Sequence, residues 1–172
     1  MPELFKAAET LANSPRVRLS ALDPGALDAM PWLDAALSPE WLRDDLVAAV
    51  RDHEGVLICD ADGAPIGMAV VFGDSPAPRD ATIAFLTVDP ARRFRGLGGE
   101  AGIELERQLR EHRGYMRVYA PVPEGRGLAV YFWLRLGFRA LSGAEAPTAP
   151  LGLTADSKPG IWMVREGESP LP

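Results

Sequence analysis

One cysteine and two histidines are all that 172 residues provide for thiol, disulfide or imidazole chemistry. With Cys59 alone no intrachain disulfide can form, and a structural zinc site is short of ligands. Cys59 follows the apolar run Val56-Leu57-Ile58, so a buried structural thiol is expected there rather than a nucleophile. Cationic excess is missing too: 18 Lys and Arg stand against 24 Asp and Glu, a net charge of −6. That balance argues against a nucleic-acid-binding surface. No apolar stretch approaches the roughly 20 residues of a membrane-spanning helix. The first residues carry neither the basic start nor the continuous apolar run of a secretory leader, so no membrane and a cytoplasmic location are expected.

What is present is an ordinary globular composition, 47% apolar and 24% charged, at a length suited to one domain over residues 1–172. The most informative stretch runs from Ala81 to Arg110. Thr82 to Val88 is apolar with almost no charge, as in a strand buried on both faces. Leu97 to Arg110 repeats Leu97, Ala101, Leu105 and Leu109 at a spacing of four, with Ile103 flanking the stripe. Glu100, Glu104, Glu106, Arg107 and Arg110 fill the other side of an amphipathic helix.

Between strand and helix stands Arg92-Arg93-Phe94-Arg95-Gly96-Leu97-Gly98-Gly99. The first N–H groups of a helix have no intrahelical acceptor, and the helix dipole adds positive potential there. An anion satisfies both if the backbone can approach it. Gly96, Gly98 and Gly99 remove the obstructing side chains, and Arg92, Arg93 and Arg95 supply positive charge. The plainer alternative is a tight turn with glycines for geometry and arginines for solubility. A dinucleotide reading of Gly96-Leu-Gly-Gly-Glu-Ala101, with Glu124 downstream, is weaker. Seven residues separate that glycine from the strand, and no second βαβ unit follows.

Arg93-x-x-Gly96-x-Gly98 after Val88-Asp89-Pro90 resembles the acyl-CoA signature of the GNAT superfamily of N-acetyltransferases. Ala129 to Phe138, a short helix running into Leu136-Gly137-Phe138, resembles that family's later motif. The resemblance implies an α/β fold with a mixed, mostly antiparallel central sheet flanked by helices on both faces, its central strand pair splayed. It implies acetyl-CoA as co-substrate, held by Leu86, Thr87 and Val88 along the strand and by Arg93, Phe94, Arg95, Gly96, Leu97, Gly98 and Gly99 in the loop. It further implies direct attack by a small-molecule or peptide amine, with the backbone N–H of Val88 donating to the acetyl carbonyl. A homodimer is left open, and no metal is implied.

The rest of the chain fits that order of elements. A helical extension is expected over residues 1–14, a first strand at Arg16 to Leu19, and an interrupted helical region from Ala26 to Leu37. Ser38 and Pro39 mark a helix start, followed by an apolar face of Trp41, Leu42, Leu46, Ala49 and Val50. Two strands, Gly55 to Asp60 and Ala64 to Phe72, flank the hairpin turn Asp60-Ala-Asp-Gly63. A strand over Tyr115 to Ala120 carries Arg117, expected to be solvated or paired. Leu128 to Leu136 is apolar nearly all round and is expected as a buried helix capped by Gly137. Strands at Phe138 to Leu141 and Ile161 to Val164 bracket a structureless loop over residues 142–159, and residues 166–172 read as a loose tail.

The resemblance departs at the acid and the base. Trp133 occupies the place of the family's usual tyrosine, four residues before Gly137-Phe138, and an indole cannot act as a general acid. Tyr131 is the alternative catalytic acid, although two residues on a helix turn it about 200° away; otherwise it is a core or rim aromatic. The strand holds no carboxylate to serve as base. Asp80, Glu124 and His53 are candidates by chemistry, each otherwise expected at the surface. Gly99 stands where the family usually has an aliphatic residue. An acyl-CoA-binding regulatory relative with little transferase activity is the alternative to an enzyme.

Overall fold

A computed structural model of the chain describes residues 10–37, 43–148 and 160–167. The described strands form one eight-stranded sheet in the order β1-β2-β3-β4-β5-β6-β8-β7. β1 (Thr10–Asn13) and β2 (Val17–Ala21) form an antiparallel pair. β3 (Glu54–Asp60), β4 (Pro65–Gly73) and β5 (Asp80–Val88) continue the antiparallel meander. β6 (Arg117–Pro123) joins β5 in parallel, and β8 (Gly160–Glu166) lies between β6 and β7 (Arg139–Ala140). The sheet is therefore mixed and mostly antiparallel, as expected.

Helices cover both faces. α3 (Leu97–Arg107), which ends in one π turn (Gln108–His112), and α4 (Gly127–Arg135) lie on one face. There Leu97, Ala101, Leu105, Leu109, Trp133 and Leu136 join Val17, Val56, Ile83, Val118 and Met163 in the larger core. α1 (Leu33–Ala36) and α2 (Arg43–Asp52) cover the other face with a short 3₁₀ turn (Pro24–Ala29). Leu27, Met30, Leu33, Leu46 and Val50 close over Met68 and Val70 there. A third cluster, Tyr119, Leu141, Trp162 and Val164, sits on the β6–β8 side. Alternation along each strand divides its side chains between these cores.

The hairpin at residues 60–63 forms as its chemistry requires. Gly63 has φ +86°, and Asp60 Oδ1 accepts from the N–H groups of Asp62 and Ala64. These bonds hold the Asp60 carboxyl below the usual carboxylate range, the Ala64 N–H contributing most.

Several expectations are corrected. Thr10–Asn13 is a strand rather than the end of an extension helix, because Pro15 opposes helix and pairing with β2 buries Leu11. The remainder of that extension, residues 1–9, lies outside the described residues, as do Ser38 to Leu42 and 149–159. Glu166 is not tail: it pairs with Arg117 across β6–β8 and its carboxylate meets Arg139 at 3.1 Å. Residues 168–172 lie outside the described part. Glu106, expected on the solvent side of α3, is buried against Arg110 and Arg165. Cys59 is only half-buried, which still pushes its thiol pKa up. α4 is not buried all round, for Leu128 and Tyr131 are 82% and 60% exposed. Only its Trp133 and Leu136 side is fully buried, since one helix face meets the sheet. Among the described residues no helix is long and apolar enough to cross a membrane.

Candidate active site

The parallel pair β5–β6 opens the sheet. Asp80, Ala81 and Thr82 pair with Arg117, Val118 and Tyr119, and the pairing ends there, although β5 continues to Val88 and β6 to Pro123. From Ala120 onward β6 pairs only with β8. At its closed end the cleft is pinned by Asp80, whose carboxylate accepts from Arg117 Nε and Nη2, both at 2.9 Å. The expectation that Asp80 is a surface residue is thus wrong; it is 1% exposed, since the ion pair lets it sit inside the sheet.

Above that pivot β5 carries a bulge. Val70 faces Phe85 while Val71 faces Ile83, so Ala84 is the extra residue. Beyond it the register is regular, and the N–H of Asp89 donates to Ile66 C=O at 2.8 Å. Antiparallel alternation then directs the N–H and C=O of Thr87 toward β4 and those of Leu86 and Val88 into the cleft. The Val88 carbonyl is met there by Arg93 Nε at 3.4 Å. The edge of β5 thus offers backbone donors and acceptors to whatever lies between the strands. Gly67 allows β4 to come this close: a Cβ there would stand 2.6 Å from the Thr87 carbonyl oxygen.

The loop after β5 leads directly to α3. Asp89 caps a 3₁₀ turn (Pro90–Arg92) by accepting from the Ala91 N–H at 2.9 Å. Phe94 has φ +64° and is fully exposed, and Gly96, the N-cap, has φ +78°. A phenylalanine in left-handed conformation with its ring in solvent is strained, a feature typical of functional loops. The first bond into the helix joins the Glu100 N–H to the Gly96 carbonyl at 3.0 Å, so the amides of Leu97, Gly98 and Gly99 precede it. A Cβ on Gly98 would touch Val88 Cγ2 at 3.4 Å, which puts this helix start against the end of β5. Arg92 is engaged with Asp60 at 3.2 Å. Arg93 and Arg95 make no ion pair among the described residues.

Of the side chains proposed for proton transfer, only Asp80 is placed at the cleft by an observed contact, and there both its carboxylate oxygens are taken up by Arg117. Tyr131 is exposed, with the Arg135 guanidinium 5.9 Å from its ring centroid. Trp133 is buried between Phe132 and Phe138, at ring separations of 5.0 and 4.8 Å. Glu124 is exposed. His53 packs against Phe72 with ring centroids 4.0 Å apart, and burial lowers its pKa from the ordinary imidazole value, opposed by the nearby Asp52 and Glu54 carboxylates. No cluster of His, Cys, Asp and Glu among the described residues could hold a metal ion.

The side chain of Thr87, expected along the cofactor, is buried on the α2 side of the sheet, where Met68 and Phe85 lie. Sequence reasoning missed one group near this site. Ser14 and Arg16, from the β1–β2 turn, meet Glu100 in the first turn of α3. No local pattern marks them, because the contact joins residues distant in sequence.

A model of the acetyltransferase (GNAT) family matches residues 21–138. No curated protein matches the sequence. Solved structures share the fold. One, from Vibrio cholerae and with a proposed ribosomal-protein-serine acetyltransferase activity, has a TM-score of 0.73 at 14% identity, over 94% of this chain and 100% of its own. An acetyltransferase from Thermus thermophilus has a TM-score of 0.62 at 22% identity, over 92% and 99%. The dodecameric spermidine N-acetyltransferase of Vibrio cholerae has a TM-score of 0.64 at 16% identity, over 90% and 95%.

Proposed function

The chain belongs to the GNAT family of acetyltransferases, and from that premise we propose that it moves an acetyl group from acetyl-CoA to a primary amine by direct attack in a ternary complex. The observation that carries this reading is the helix start at Leu97, Gly98 and Gly99, open to an anion and set against the end of β5 where the strands part. The residues fit a CoA thioester. The loop amides, with Arg93 and Arg95, would hold the pyrophosphate. Leu86 and Val88, with Thr87 between them, would lie along the pantetheine amides.

Acetyl-CoA supplies an activated acyl group and a thiolate leaving group. The protein's part is chiefly alignment and charge stabilisation. The Val88 N–H, directed into the cleft, would donate to the carbonyl oxygen as charge develops on it, a role that no side-chain change removes. Holding thioester and amine together supplies most of the remaining advantage. Proton removal from the amine falls to solvent water reaching the cleft, since Asp80 is committed to Arg117 and His53 to Phe72. The acceptor is a small-molecule or peptide amine; the net negative charge and the spermidine-acetylating relative of the same fold favour a cationic one.

Burial of Trp133 where the family places a tyrosine favours the second reading, an acyl-CoA-binding protein with little transferase activity. A panel of polyamines, aminoglycosides and peptide N-termini, assayed for free CoA with a thiol reagent, separates the two. Turnover above the no-amine rate supports the enzyme, whereas tight CoA binding with no turnover on any amine rejects it.

A further inference from the structure

The phosphate loop carries an apparent contradiction. Glu100 places a carboxylate in the first turn of α3, next to Gly99, where an incoming phosphate would meet like charge. The carboxylate is not left bare. Its Oε1 accepts from the Ser14 hydroxyl and, at 3.3 Å, from the Arg16 N–H. Its Oε2 accepts from Arg16 Nε at 2.7 Å and lies 2.5 Å from Nη2. The same guanidinium donates through Nη1 to the Arg95 carbonyl at 3.0 Å. It also passes Gly96 so closely that a Cβ there would lie 3.5 Å from Nη2. Arg16 thus reaches from the β1–β2 turn into the loop, with 55% of its side chain still exposed.

We propose that Arg16 is a positioning residue of the phosphate loop: it neutralises Glu100 and holds the Arg95 carbonyl, so that the helix start presents positive potential to the CoA phosphates. This rests on the reading of residues 94–99 as the phosphate site. A carboxylate near a helix N-terminus stabilises the free helix. Once a phosphate competes for the same potential, the carboxylate must be compensated, and Arg16 is the cation in contact with it.

Calorimetric titration of CoA tests this on the full-length protein in four variants. Arg16→Gln leaves Glu100 uncompensated and should weaken CoA about tenfold, with the deficit shrinking as salt rises to about 1 M, where charges are screened beyond about 3 Å. In turnover it should raise KM for acetyl-CoA far more than it lowers kcat, and Arg16→Lys should recover part of the loss. Glu100→Gln should bind CoA at least as tightly as the parent, because it removes the repelling charge and frees Arg16. A mere brace gives the opposite sign, so Glu100→Gln binding as poorly as Arg16→Gln overturns the proposal. So does Arg16→Gln binding within twofold of the parent while Gly98→Asp abolishes binding. If Gly98→Asp binds CoA unchanged, the phosphate-site reading itself fails and the role of Arg16 falls with it. Should Arg16→Gln not fold, Glu100→Gln and Arg16→Lys decide the matter by the same signs.

Discussion

Breaking the Asp80–Arg117 pair from its two ends should not cost the same. The Asp80 side chain is 2% exposed and that of Arg117 is 44% exposed. Arg117→Met leaves a carboxylate inside the sheet with both of its 2.9 Å side-chain donors gone. Stranding a buried charge costs about 3–5 kcal/mol. The contact of the guanidinium with the Tyr119 ring, 5.7 Å from its centroid, is lost as well. Asp80→Asn strands only a guanidinium that can turn to water, and the amide oxygen still accepts one bond. The expected loss is about 1–2 kcal/mol, that of a charge-assisted hydrogen bond. For a chain of this size each kcal/mol moves Tm by about 2–4 °C. The measurement is urea denaturation followed by far-UV circular dichroism, with the melting temperature as a second readout. The double variant should lie closer to Asp80→Asn than to Arg117→Met, because no buried charge is left. Asp80→Asn proving as costly as Arg117→Met would refute the reasoning, as would both falling within about 0.5 kcal/mol of the parent, the range of ordinary surface changes. Because the pair closes the narrow end of the cleft, either variant should also raise KM for acetyl-CoA.

Gly67→Ala drives a Cβ to 2.6 Å from the Thr87 carbonyl oxygen, a backbone atom that cannot swing aside. The expected loss is about 1–3 kcal/mol by denaturation, accompanied by weaker CoA binding, since the displaced strand carries Val88. Glu100 gives a pH signature: its carboxyl is held below the ordinary value of 4.5, first by Ser14 and then by Arg16. A group with a depressed folded pKa stabilises the fold above its unfolded pKa and loses that contribution as pH falls through the folded one. Stability should therefore decline on acidification below pH 4.5, and Glu100→Gln should flatten that decline. Tyr131→Phe and Trp133→Tyr, assayed across pH with the best amine, should each leave kcat within about twofold, or roughly 0.5 kcal/mol of barrier. A larger loss in Tyr131→Phe, with a flattened alkaline limb, would make Tyr131 the acid after all.

Much of the fold is legible locally. The spacing of Leu97, Ala101, Leu105 and Leu109 places α3, and all four are buried. The turn chemistry of residues 60–63 places the β3–β4 hairpin. What escaped local reading depends on partners far away in sequence. Thr10–Asn13 has a helix-compatible sequence and becomes a strand because β2 is there to pair with it. Asp80 and Glu106 are charged residues that look solvent-bound until Arg117, Arg110 and Arg165 are brought to them. α4 is apolar on nearly every side, and composition cannot tell which side meets the sheet. At the site, glycine spacing and strand placement mark the loop, but not the cation that crosses from the β1–β2 turn.

The most direct measurement of the central claim is a crystal structure of the protein with acetyl-CoA. Pyrophosphate oxygens are expected within about 2.7–3.2 Å of the amides of Leu97, Gly98 and Gly99. The pantetheine should run between β5 and β6, with the thioester oxygen on the Val88 N–H. A nucleotide bound away from the start of α3, or a pantetheine outside the parted strands, would contradict it.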